Sequence, residues 1–448
     1  MNSIPARYNT ILNDPTLRDY ELRGFVVTND DYSSALTRRR FLRAVLAGSA
    51  LVGAGALLNS CGAPSAGTSA PATANTTPLK IGLLVPSSDI YAVLGASITQ
   101  GMQIAFAQVG NEAGGRPIEI ISEDEGTKPD LALQKARKLV EQDQVALVAG
   151  VVSSGVANAL RDYFHDGQKL LVLANAGANA LARKAKSPYI FRASFSNWQS
   201  NWQMGTWAAA NIGKRAMLSA PDYAAGKEML SAFRNSFEAA GGEVVQVQLT
   251  PFPNIGDPAP FMAQIRDAAA DFVYAFYSGA ASVAFVKAYS DFGLAQTVPL
   301  AGVGFLVEQD VLPQLASAAL NIRSALHWAA PLDNPENKAF TTAYQKLTNQ
   351  QPNVFAVQGY DAARLIIEGV NAVQGDVSQQ DILLKALGAA TFASPRGPFK
   401  LDPNTNNPIN PCYVREVRQA GSAYTNVVIA MLEAAGDPGD DSKDTPVA

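Results

Sequence analysis

The chain has 448 residues, 48% hydrophobic and 17% charged, with a formal net charge of −4. That length allows two or three domains with sizeable cores, the composition is that of a folded chain, and the slight acidity gives no electrostatic footprint for nucleic acid. Two histidines and two cysteines, far apart, argue against a histidine metal cluster, a C-x-x-C redox or zinc motif and a disulfide framework.

The first element in chain order is a targeting segment. Thr37-Arg38-Arg39-Arg40-Phe41-Leu42-Arg43 precedes an uncharged run over 44–58, rich in Ala, Gly, Leu and Val. The run is short of the about 20 apolar residues a membrane span needs. Paired arginines before a short apolar run resemble a bacterial twin-arginine export signal. Leu58-Asn59-Ser60-Cys61 resembles a lipobox, in which Cys61 becomes the lipid-modified first residue; the alternative is an ordinary signal peptide with an incidental cysteine. Residues 1–60 are thus expected to be a twin-arginine-type lipoprotein signal. Residues 61–78, of Gly, Ala, Ser, Thr, Asn and Pro without periodicity, are expected to be a flexible linker.

From Leu79 short apolar runs alternate with helical patterns. "KIGLLV" reads as a buried strand, and 96–109 as the helix after it. "PIEIIS" alternates with period two, and 131–142 carries Ala132, Ala136, Leu139 and Val140 on one helical face. "VALVAG" is a further buried strand, Val156, Leu160 and Phe164 mark the next helix, and "KLLVLA" completes the group. The rhythm restarts near Arg215 with "RAMLSA", "EVVQVQL", "DFVYAFY" and "VPLAGV", each followed or preceded by a helical pattern. The pattern predicts an α/β fold of two doubly wound parallel-sheet lobes, each presenting loops at the carboxyl ends of its strands. The acidic, Gly- and Pro-containing segment 434–448 is expected to be a disordered tail.

No phosphate-binding G-x-x-x-x-G-K-[ST] occurs, Gly302-Val303-Gly304 lacks the third glycine of a dinucleotide fingerprint, and no G-x-S-x-G elbow is present. His165 reads as a solvated residue at a helix end, and His327, in "SALHWAAPL", as an interior or hinge histidine. No catalytic residue, metal or cofactor is expected. Ser153-Ser154-Gly155 turns from a strand into a helix: either its free N–H groups and hydroxyls hold an anion, or the serine simply caps its own helix. "LANAGANAL" either admits a ligand close to the backbone or is a plain tight turn. Tyr223 follows a strand and faces either the cleft or the rim. Asn197 is either a cap or a contact, and Trp198 and Trp202 at i, i+4 read as a packing stripe. Cys412 reads as a lone buried thiol.

These motifs in this order, with "DYAAG", "DFVYAFYSG", "PNVFAVQGYDAARLI" and "RGPFKLDP", resemble the type I periplasmic solute-binding proteins of ABC importers, in the branched-chain amino-acid group. The resemblance implies two lobes, 79–196 with 331–393 and 197–330 with 394–433. A three-crossover hinge near 192–197, 327–332 and 394–396 would join them. It implies a monomer that delivers a small carboxylate to permease subunits outside the cytoplasm, held to the membrane through Cys61; the alternatives are a ligand-sensing module of a signalling receptor and an exported α/β enzyme. By the family's pattern Ser154 binds the carboxylate, with Ser153 a further candidate from the same turn, Asn175, Ala176 and Gly177 complete that pocket, and Tyr91 or Leu94 packs on the ligand body. Tyr223, Ser278 and Phe355 occupy further binding positions, and Gly177 stands where a threonine is common. Amino-acid binders carry an acid near Gly304 to pair with an ammonium, and Asn197 also replaces a common acid. A carboxylate without a mandatory amino group follows, an aromatic or keto acid, unless Glu308 supplies the missing charge. Phe305 adds to an aromatic neighbourhood that favours an apolar ligand body.

Overall fold

The structure is a computed structural model that describes residues 77–443 and 447. The export signal, Cys61 and all but the last two linker residues lie outside the described residues.

The first sheet contains β1 (Leu79–Val85), β2 (Glu112–Ala113), β3 (Arg116–Asp124), β4 (Leu147–Gly150), β5 (Leu171–Leu173) and β6 (Ile190–Arg192), in the order β2-β3-β1-β4-β5-β6. All its pairs are parallel except β2 with β3. Helices cover both faces, so β4, β5 and β6 are buried throughout, and β4 and β5 read as unbroken apolar runs, whereas β3 at the side alternates. On one face the Ala92–Gln108 and Val354–Ala372 helices lie against each other. A Cβ on Gly101 would strike the Ala356 carbonyl and one on Gly359 the Ile98 carbonyl. Glycine at both positions is what lets the two helices approach so closely.

The second sheet is built from β7 (Arg215–Pro221), β8 (Glu243–Thr250), β9 (Phe272–Ala275), β10 (Leu300–Val303) and β11 (Arg323–Leu326). A small sheet follows, of β12 (Thr391–Ser394), β13 (Gly397–Asp402) and β14 (Asn407–Pro408), before β15 (Asn410–Ala420) and β16 (Ala423–Ala435). The second sheet has the order β16-β15-β11-β10-β9-β7-β8. Its five-strand body is parallel, and β15 and β16 extend it as an antiparallel hairpin. Cys412 is buried in β15 as a free thiol.

Two expected boundaries change. The third crossing, expected at 394–396, occurs at 408–410 instead. The buried guanidinium and N–H of Arg192, at the end of β6, require acceptors, and Asn407 Oδ1 (2.8 Å) and the Asn406 carbonyl (3.1 Å) provide them. The small sheet is thereby held on the first lobe, and the chain enters the second sheet only at β15. The tail expected to be disordered from 434 is ordered as far as the described residues run to 443. Asp437, buried, pairs with the fully buried Arg183 through Nε at 2.9 Å and Nη2 at 3.3 Å. Its acidic composition signals solvation, but this aspartate is the counter-charge of an interior arginine.

Candidate ligand-binding site

The carboxyl ends of β1, β4 and β5 in one lobe face those of β7, β9 and β10 in the other, where open α/β sheets leave a crevice. After β4 the chain turns at Ser153, whose Oγ accepts from Val156 N at 3.5 Å and starts the Ser154–Asp166 helix. The N–H groups of Val152 and Ser153 donate to Glu125 at 2.7 and 2.8 Å. Burial pushes this carboxyl up to about 8, against the pull of those two bonds. Ser153 is therefore a helix cap and does not line the cavity. Ser154 does.

After β5, Asn175 and Gly177 line the same space, while Ala176 lies behind it with its N–H on the Val151 carbonyl. A Cβ on Gly177 would strike Asn197 Oδ1 and the Phe195 ring, so a threonine has no room here. Asn197, from the first crossing, does not cap the helix after it. Its Nδ2 donates to Ser154 Oγ (3.1 Å) and Glu228 (2.7 Å), and its buried Oδ1 has no partner. Tyr91, from the turn after β1, donates its hydroxyl to that of Tyr223, at the start of the Ala224–Ala239 helix, across 3.1 Å. Burial raises Tyr91 to about 12. Ring contacts continue from Tyr223 to Phe276 (6.1 Å between centroids), Phe276 to Phe305 (6.5 Å), and Phe305 to Phe195 (5.2 Å) and Phe355 (5.4 Å). Leu94 and Ser278 complete a cavity walled by both lobes. No charged side chain lines it.

A family model for periplasmic binding proteins matches residues 78–422. The chain belongs to the periplasmic binding protein family. It is a small-ligand solute-binding protein of the ABC-transporter type, and the family places it outside the cytoplasm. Leu/Ile/Val-binding protein homolog 6 of Brucella melitensis is 30% identical over 367 residues, covering 81% of this chain and 93% of the relative. A solute-binding protein of an ABC transporter from R. palustris, solved with benzoate, is 37% identical with a TM-score of 0.77, covering 81% of this chain and 99% of that one. A solute-binding protein from Rhodopseudomonas palustris BisB5, solved with 3,4-dihydroxybenzoic acid, is 31% identical with a TM-score of 0.77, over 81% and 99%.

In this periplasmic binding protein, Gly304 does not line the cavity. A Cβ there would meet the Arg415 guanidinium and Leu326. Arg415 pairs with Glu308 at 2.7 Å, both side chains fully buried, and the other Glu308 oxygen accepts from Val354 N at 3.1 Å. Glu308 is thus bonded to protein partners and does not line the cavity. Trp198 and Trp202 stack on each other at 5.0 Å, away from the lining. The sequence reading missed Val152, Phe195, Ala225, Met229 and Phe276. Ala225 and Met229 had one available signal, their i, i+4 spacing on the helix that Tyr223 opens.

Proposed function

We propose that this solute-binding protein captures a small aromatic carboxylate between its lobes and delivers it, chemically unchanged, to the permease of an ABC importer, while a lipid on Cys61 keeps it at the membrane. The cavity lining carries this reading: it is rich in aromatic rings and contains no ionised acid. An amino-acid ligand would bury an unpaired ammonium there, at a cost of several kcal/mol. A carboxylate instead finds the Ser154 hydroxyl and the start of the Ser154–Asp166 helix, where free N–H groups and the helix dipole favour an anion. The solved relatives holding benzoate and dihydroxybenzoic acid support the same ligand class.

Thermal-shift and calorimetric titrations with benzoate, 4-hydroxybenzoate, phenylpyruvate and leucine test the reading. The aromatic acids are expected to raise the melting temperature, by about 2.7 kcal/mol of stability at a hundredfold excess over Kd. Ser154→Ala is expected to weaken benzoate about tenfold, the scale of one hydrogen bond to a charged group. Stabilisation by leucine alone would sink the proposal.

A further inference from the structure

A hydrogen-bonded chain leads from the cavity to the hinge. Asn175 lines the cavity, and its Nδ2 donates to Gln358 Oε1 at 2.7 Å. Gln358 Nε2 in turn lies 3.3 Å from His327 Nε2. His327 follows β11 in the second crossing, and its ring stacks at 5.6 Å on Phe195 of the first crossing. Gln358 and His327 are buried, and His327 Nδ1 has no partner. An amide can turn by 180° with little change of shape, and each neutral imidazole nitrogen is either a donor or an acceptor. The links from Asn175 to His327 Nε2 therefore have two hydrogen-bonded settings, and Nδ1 is unpartnered in both. In the setting described, Gln358 donates to a bare Nε2, the ring proton is on Nδ1, and Asn175 is left with Oδ1 as its uncommitted end. In the reverse setting Nε2–H donates to Gln358 Oε1, Gln358 Nε2 donates to Asn175 Oδ1, and the Asn175 NH2 is free.

We propose that His327 is a positioning residue for the ligand: the tautomer of its ring, relayed by Gln358, sets whether Asn175 offers the cavity an amide oxygen or an amide NH2. A carboxylate only accepts hydrogen bonds, so its entry selects the NH2 setting and moves the ring proton from Nδ1 to Nε2. No net proton is taken up. The charged groups acting on the ring are Arg396, paired with Asp361, and Arg415, paired with Glu308. Burial and these two cations hold the ring well below its ordinary pKa, so it stays neutral and the two tautomers are its accessible states. The inference rests on the aromatic-carboxylate reading above.

The chain has just two histidines, so protein labelled with ¹⁵N-histidine gives signals from two rings, and His165→Asn assigns them. His327 is expected to show the Nδ1–H pattern in the free protein and the Nε2–H pattern at saturating benzoate. Gln358→Met is expected to abolish that response and to weaken benzoate about tenfold. An unchanged His327 tautomer in protein that benzoate stabilises overturns the relay alone, as does full benzoate affinity in Gln358→Met. If neither benzoate nor 4-hydroxybenzoate raises the melting temperature, the carboxylate reading fails and the relay with it.

Discussion

Glu125 is a carboxyl held in the interior by two backbone N–H groups at the head of the site's helix. Folded, it keeps its proton to about pH 8, whereas unfolded it releases it near 4.5. Between those values the folded state binds more protons than the unfolded one, so stability falls as pH rises through the window and levels off above it. Relative to Glu125→Gln, the wild-type melting temperature is expected to drop from pH 5 to pH 8; parallel curves would show the acid already ionised at pH 5. Nothing in the sequence marked Glu125, because its place beside Val152 and Ser153 depends on β3 and β4 flanking β1. Ser154, Tyr91 and Phe305 were legible because each stands just past the end of a strand, where the topology itself points to ligands. Phe195 was not, since it reaches the cavity from a crossing. Gly304 was legible as unusual but for another reason: its missing side chain makes room for a guanidinium supplied more than a hundred residues later in the chain.

At the scale of elements, that guanidinium ties β15 to the loops after β10 and β11. Arg415 donates to Glu308, to the carbonyls of Gly304 (2.9 Å) and Trp328 (3.1 Å), and to Ser324 Oγ at 3.3 Å. Removing one partner of a fully buried pair strands the other. Glu308→Ala is therefore expected to cost about 3–5 kcal/mol, and Glu308→Leu with Arg415→Met to restore most of it, read by urea unfolding. A loss under 1 kcal/mol in the single variant would show that water reaches the pair. Strand and helix order was readable because buried parallel strands are unbroken apolar runs of fixed spacing. The third crossing was misplaced because "RGPFKLDP" is a hairpin pattern on either lobe; the bonds of Arg192 to Asn406 and Asn407, and of Asp361 to Ser394 and Arg396, decide which lobe holds it.

For the whole molecule, closure rests on a handful of bonds between lobes: Tyr91 with Tyr223, Asn197 with Ser154, Glu308 with Val354, and Asn179 N with Glu228 at 2.9 Å. Each contributes about 1 kcal/mol net, so a ligand adding two or three more decides the balance between open and closed. Small-angle scattering is expected to show a smaller radius of gyration at saturating benzoate than without it. Identical curves would mean that the lobes stay shut and that the ligand enters by local motion alone.

The Asp437–Arg183 pair has a mechanical consequence. β16 belongs to the second sheet, yet the segment just beyond it is pinned to the first lobe, and Gln199 holds the Ala435 carbonyl at 2.7 Å. With three crossings and this pin, the lobes form a closed linkage with four connections. Any swing of one lobe must be absorbed within 435–437, where Gly436 supplies the compliance. The pin limits how far the lobes part, and a chain cut after Ala435 would lose the Asp437–Arg183 pair and is expected to swing more widely.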